Sequence, residues 1–209
     1  MKRVLLICLS LVLALAGWSA AGWSAAGAED GFYVIPSMKV VPKTGQTATY
    51  GTRDDGALQK GVAWPTPRFT DNGNGTVTDN LTRLIWTKNA DNFGLKTWAE
   101  ALTGANSLAS GSAGLTDGSK AGDWRLPNVR ELQSLVDYGF GNPALPNTLG
   151  TGQWTEGNSF KGVQSSAYWS SSTYANFITS AWNVHFNDGL VYSIDKSGYH
   201  YVWCVRAGP

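Results

Sequence analysis

Apolar and polar positions change period along this chain, and the changes mark its elements. Over residues 97–108, Trp98, Ala101, Leu102, Ala105 and Leu108 recur at helical spacing and predict one amphipathic helix. Thr97 and Glu100 stand at capping-box spacing at its start. Gly104 weakens it by about 1 kcal/mol relative to Ala. Val129, Leu132, Leu135 and Val136 form the stripe of a second helix, opened by a second capping box at Asn128 and Glu131. Pro127 restricts Leu126 to extended backbone, so the chain enters this helix straight.

Elsewhere the period is two. Residues 68–70, 76–78 and 84–87 read as a hairpin and a further strand, separated by Asn- and Gly-rich turns at 71–75 and 79–82. Beyond residue 166 come four alternating runs, YWSSSTY, SAWNVHF, LVYSID and HYVWCVRA. The turn Asn187-Asp188-Gly189 between the second and third of these is a strong hairpin signal. Trp182, Val184 and Phe186 alternate with Asn183 and His185, giving one apolar and one polar face. Residues 140–166 show no period. Helices early, strands late and an irregular middle predict an α+β fold: two helices on one side of a small, mostly antiparallel sheet with long loops.

The start of the chain reads differently. Lys2 and Arg3, a short apolar core and the small residues Ala26-Gly27-Ala28 have the form of a signal peptide over residues 1–28. Residues 29–60 form an N-terminal extension, in which residues 32–41 resemble a strand broken by Pro36. Residues 61–209 form the domain. Cleavage after Ala28 leaves 14 basic and 15 acidic residues, a net charge of −1. That balance gives no electrostatic case for nucleic acid or an anionic membrane, and no second apolar span follows the leader. Export places the protein in the periplasm, on the cell surface or in the medium. Cleavage leaves Cys204 as the sole cysteine, so stability rests on packing rather than on a disulfide. Its alternating apolar context predicts a buried, inert thiol.

Candidate chemistry is sparse. Neither H-E-x-x-H nor G-x-S-x-G occurs. The two histidines, His185 and His200, fall among the late strands, where Asp188 or Cys204 would be their partners in a catalytic site. Asp71, Asn72, Asn74 and Asp79 in DNGNGTVTD offer oxygen ligands for calcium. Gly73, Gly75 and Thr82 stand where an EF-hand loop needs ligands, so a plain hairpin turn is the competing reading. The last third is crowded with aromatic residues beside Asn, Ser and Asp, a composition suited to contacting sugar rings or protein partners. The candidate contact residues are Tyr168, Trp169, Tyr174, Asn176, Asn183, His185, Asn187 and Asp188. Trp154, a lone aromatic in the polar segment 140–166, is the leading single candidate, with docking onto the domain as its alternative.

The stretches GVAWPTPRFTDNGNGTVTDNLTRLIWTK, TWAEAL, DWRLPNVRELQSLVDYG, YWSSSTY, AWNVHFNDG and VWCVRAG occur in this order from residue 61 to 207. Together they resemble the C-terminal domain family of the Legionella collagen-like proteins, bacterial secreted domains of unknown function. The resemblance implies a C-type lectin-like fold, shared with the formylglycine-generating enzymes. In that fold an Arg-Leu-Pro segment leads into the second helix, and the first and last strands meet. It further implies that Trp124 plugs the core at the helix entry and that Arg125 ties the loop to backbone carbonyls. Calcium-dependent lectins carry Glu-Pro-Asn or Gln-Pro-Asp and Trp-Asn-Asp, where this chain has Leu126-Pro127-Asn128 and Trp182-Asn183-Val184. The function expected is an exported ligand-binding or adhesion module for a carbohydrate or a surface protein, without catalysis. A formylglycine-type catalytic domain and a structural subunit of an envelope assembly are the alternatives.

Overall fold

A computed structural model describes residues 41–208. The expected signal peptide and nearly all of the strand expected at 32–41 lie outside the described residues. Seven strands and three short helices follow in the order α1 (Asp55–Leu58), β1 (Phe69–Asp71), β2 (Thr76–Asp79), β3 (Ile85–Thr87), α2 (Trp98–Ser107), α3 (Val129–Gln133), β4 (Ala167–Thr173), β5 (Ser180–His185), β6 (Val191–Asp195) and β7 (Val205–Arg206). The strands make two antiparallel sheets, β1-β2-β3-β7 and β4-β5-β6, rather than the single sheet expected. Pairing between distant segments fixes that division, and a period of two carries no information about partners.

Both capping boxes form. Thr97 caps α2 and the Glu100 carboxylate accepts the Thr97 N–H. Asn128 Oδ1 accepts the N–H groups of Arg130 and Glu131, while Glu131 accepts the Asn128 N–H. Helix α3 is shorter than its apolar stripe. After Gln133 the chain tightens through i→i+3 bonds at Leu135 and Val136, which still delivers Leu132, Leu135 and Val136 to the core. Helix α1, hidden in a loop-like sequence, is a single turn capped by Asp54.

Residues 200–206 bind the two sheets together. The His200 N–H and C=O pair with Lys96, and those of Tyr201 pair with Ala167 and Trp169 of β4. Cys204 O then accepts the Thr87 N–H of β3, and Val205 exchanges both bonds with Arg125. The expected continuous strand is thus a segment that changes partner at nearly every step. Its side chains alternate between two cores. Trp203 and Val205 enter the first, with Phe69, Trp86, Phe160, Tyr168 and Phe186. Val202 and Cys204 enter the second, with Trp124, Trp169, Ala101, Ala105 and Ala181. Trp203 is the hub of the first core: its ring lies 4.8 Å from Phe160, 5.6 Å from Tyr168, 5.7 Å from Phe186 and 5.8 Å from Trp86. Such pairs contribute roughly 0.5–1.5 kcal/mol each beyond the area they bury.

Trp124 is fully buried in the second core, as the resemblance implies, and its indole N–H donates to Ser119 Oγ at 2.9 Å. Arg125 reaches one backbone carbonyl, Leu126 O at 3.5 Å, but its shorter bonds go to a carboxylate. Its guanidinium forms a two-pronged, charge-assisted pair with Glu131 at 2.7 and 2.6 Å.

Candidate functional site

Surface and core divide the sequence candidates sharply. Trp154 is only 8 % exposed; it packs in the first core and its indole N–H donates to Phe160 O at 3.3 Å. Burial takes it out of the contact surface and gives it the docked role. Tyr168, Trp169 and Asn183 are completely buried as well. The expectation of one polar, open face on β5 fails at Asn183, because the second core covers the face that Ala181 and Asn183 share.

The four calcium candidates do not converge. Asp79 lies buried in an ion pair with Arg68, 2.8 Å from Nε, and also accepts from Leu81 N–H and the Thr82 hydroxyl. Asp71 pairs with Lys88 and accepts the Gly73 N–H. The Lys88 hydrogen bond outweighs burial and holds the Asp71 carboxyl below its usual range. Asn72 bridges the Thr76 and Thr78 hydroxyls, and Asn74 Oδ1 accepts from Thr76. These partners make a hairpin turn and leave no shared oxygen cage. Among the described residues no cluster of three or more His, Cys, Asp or Glu is spaced to hold a metal ion.

What remains at the surface lies at two ends of the β4-β5-β6 sheet. At one end, hydrogen bonds from Tyr174 N to Ser180 O and from Ser180 N to Phe177 O pin the β4–β5 connection. Tyr174 stands 5.0 Å from the Trp182 ring and 5.7 Å from Phe177, and its hydroxyl takes the Asn176 amide N–H at 3.3 Å. On this base Phe177 and Ile178 project outward, 64 % and 74 % exposed. Neither was among the sequence candidates; an apolar pair inside a turn between two strand signals was the signal that could have found them. Beneath them Lys196 Nζ donates to Ile178 O at 2.8 Å and sits 3.9 Å from the Trp98 ring centroid.

At the other end is the β5–β6 turn, with Asn187 and Asp188 exposed. Gly189, at φ +80°, lies against the turn that follows α3: a Cβ there would come within 2.7 Å of Val136 Cγ1, so only glycine fits. His185 Nδ1 lies 3.6 Å from Asp188 Oδ1. Burial, reinforced by Asp188, raises the Tyr192 hydroxyl. Burial, reinforced by His185, lowers His200, whose ring stands edge-on to Trp169 at 4.7 Å. Cys204 takes no part in this group: burial raises its thiol to about 12. A neutral thiol is a poor nucleophile, and the described residues hold no second one.

The family model of the Lcl C-terminal domain matches residues 75–206. The chain belongs to that family. The match runs from the first residues of β2 through β7, so the Lcl C-terminal domain takes in both capped helices, the whole β4-β5-β6 sheet and the segment that joins the sheets. No curated protein matches the chain. Among the described residues no helix is long and apolar enough to cross a membrane.

Proposed function

We propose that this protein is an exported recognition module, with a C-type lectin-like fold, that binds a carbohydrate or a protein at a cell surface and performs no reaction on it. The observation that carries this reading is the β4–β5 turn. Two large apolar side chains, Phe177 and Ile178, stand in water on an aromatic base of Tyr174 and Trp182, with the Asn176 amide beside them. Rigid aromatic groups next to a hydrogen-bonding amide suit the faces of sugar rings and the anchor pockets of protein partners. One feature supports the lectin-like fold: Arg125-Leu126-Pro127 leads into the second capped helix. The strand order modifies it, since the last strand, β7, meets β3 and not the first strand, β1.

The test is a double variant, Phe177→Ser with Ile178→Ser, compared with the parent protein on a glycan array and on intact cells. Loss of binding at an unchanged melting temperature is the expected result. Full binding by the double variant would move the site elsewhere, and no binding by the parent to either target would remove the reading.

A further inference from the structure

Among the described residues, three of the four sheet edges carry at least one main-chain bond from another segment. Phe69 of β1 donates to Thr148 O, Trp169 and Ser171 of β4 donate to Tyr201 O and Pro127 O, and Val205 of β7 exchanges both bonds with Arg125. Strand β6 receives no main-chain bond from any described element other than β5. The ladder shows which of its groups are free. Leu190 O accepts the His185 N–H and Lys196 N donates to Thr179 O, so the even-numbered residues turn their backbone toward β5. Val191, Ser193 and Asp195 therefore point theirs outward; the Asp195 C=O already accepts the Gly198 N–H of the following turn, while those of Val191 and Ser193 take no bond from any described residue. Proteins usually guard such an edge with proline, an inward-pointing charge or a bulge. Val191-Tyr192-Ser193-Ile194-Asp195 has no proline and its register with β5 is unbroken. Its first four residues are uncharged and half-buried, and exposed Leu190 precedes it.

We propose that β6 pairs antiparallel with β6 of a second copy of this chain, about a two-fold axis through Ser193, joining two three-stranded sheets into one of six strands. The sequence is self-complementary in that register. Ser193 faces Ser193 of the partner subunit, the two exchanging N–H and C=O bonds, and Val191 faces Asp195 of the partner subunit, whose N–H meets the Val191 C=O. Tyr192 then faces Ile194 of the partner subunit at a non-hydrogen-bonded position, where side chains approach most closely and an aromatic meets a β-branched residue. Lys196 faces Leu190 of the partner subunit, so no like charges are opposed. A two-fold contact of this kind closes on itself and leaves no further edge to propagate. The inference does not rest on the ligand-binding reading above.

Sedimentation of the purified protein across micromolar to millimolar concentration should show a monomer–dimer equilibrium. Exchange protection of the Ser193 amide should rise with the dimer, since that N–H has no partner among the described residues. Ser193→Pro, which removes an outward N–H and no bond to β5, should give a monomer with the parent's melting temperature. Ser193→Lys and Ser193→Glu put like charges opposite each other across the axis. Each should be monomeric alone, and the two mixed should form a heterodimer, which keeps the test open if the proline variant fails to fold. A parent that stays monomeric throughout, or a dimer that survives both charge variants, would overturn the proposal.

Discussion

Arg125 and Glu131 close a ring around the entry to α3. The guanidinium grips both carboxylate oxygens at 2.7 and 2.6 Å, while one of those oxygens also accepts the Asn128 N–H at 2.8 Å. One carboxylate thus completes the helix cap and ties it to the strand-like segment that Arg125 shares with Val205. The Arg125 side chain is nearly half exposed, so solvent screens the pair. Arg125→Ala should cost only about 0.5–1 kcal/mol. Glu131→Ala removes the carboxylate half of the capping box and the pair together and should cost more, about 1–2 kcal/mol in chemical denaturation. Equal costs for the two variants would show that the cap contributes nothing of its own.

Asp137 should make the protein less stable as pH rises. It is 2 % exposed, and burial raises its carboxyl to about 6 against the Gly139 N–H and the Arg68 charge, which both act to lower it. A folded-state value above the unfolded one means that the unfolded chain gives up this proton first. The contribution is therefore fully present below about pH 4 and is lost as pH rises through 6. Two pK units correspond to about 3 kcal/mol. Asp137→Asn, which keeps an oxygen acceptor for Gly139, should flatten the fall in melting temperature between pH 4 and 7; a slope unchanged from the parent's would assign it to another group.

Cys204 should resist thiol reagents in the native protein and react only on unfolding. It is fully buried, and burial holds its thiol near 12, five units above neutral pH. Cys204→Ser puts a hydroxyl in an apolar core and should cost about 1–3 kcal/mol. Labelling of the folded protein at the rate of a free thiol would contradict the sealed core.

Trp154→Ala should cost about 3–5 kcal/mol, as for other large aromatic truncations in packed cores, and lower the melting temperature accordingly. Binding by the surviving folded fraction should be unaffected. A stable variant that had lost binding would return Trp154 to the contact surface.

The parts of this fold visible in the sequence are those that local chemistry decides. Thr97 with Glu100, Asn128 with Glu131 and the Asn187-Asp188-Gly189 turn each act over a few residues, and each forms where its pattern placed it. What depends on distant partners was hidden. The alternation of Asn183 with Trp182 and Val184 showed that it faces away from them, but not that α2 and Trp169 would cover that face too. Both atoms of the Asn183 amide are left buried without a hydrogen bond, which no pattern in the strand announces. Arg68 and Asp79 sit at opposite ends of the first hairpin in sequence, and only the register Phe69↔Asp79 brings them into one buried pair. At the candidate site Asn176, Asn187 and Asp188 are exposed and Tyr174 is half-buried. Two strongly exposed apolar residues, Phe177 and Ile178, were masked by the strand signals on either side.

The alternation of residues 202–205 between two cores has a consequence for the order of events during synthesis. A ribosome delivers this segment after β3, β4 and both capped helices, all of which wait for it. Before it emerges, the Thr87 and Trp169 N–H groups lack their acceptors, and each core lacks the side chains that separate it from the other. Neither core is therefore complete until residues 202–205 have joined it, and assembly of both sheets waits on one short stretch of chain.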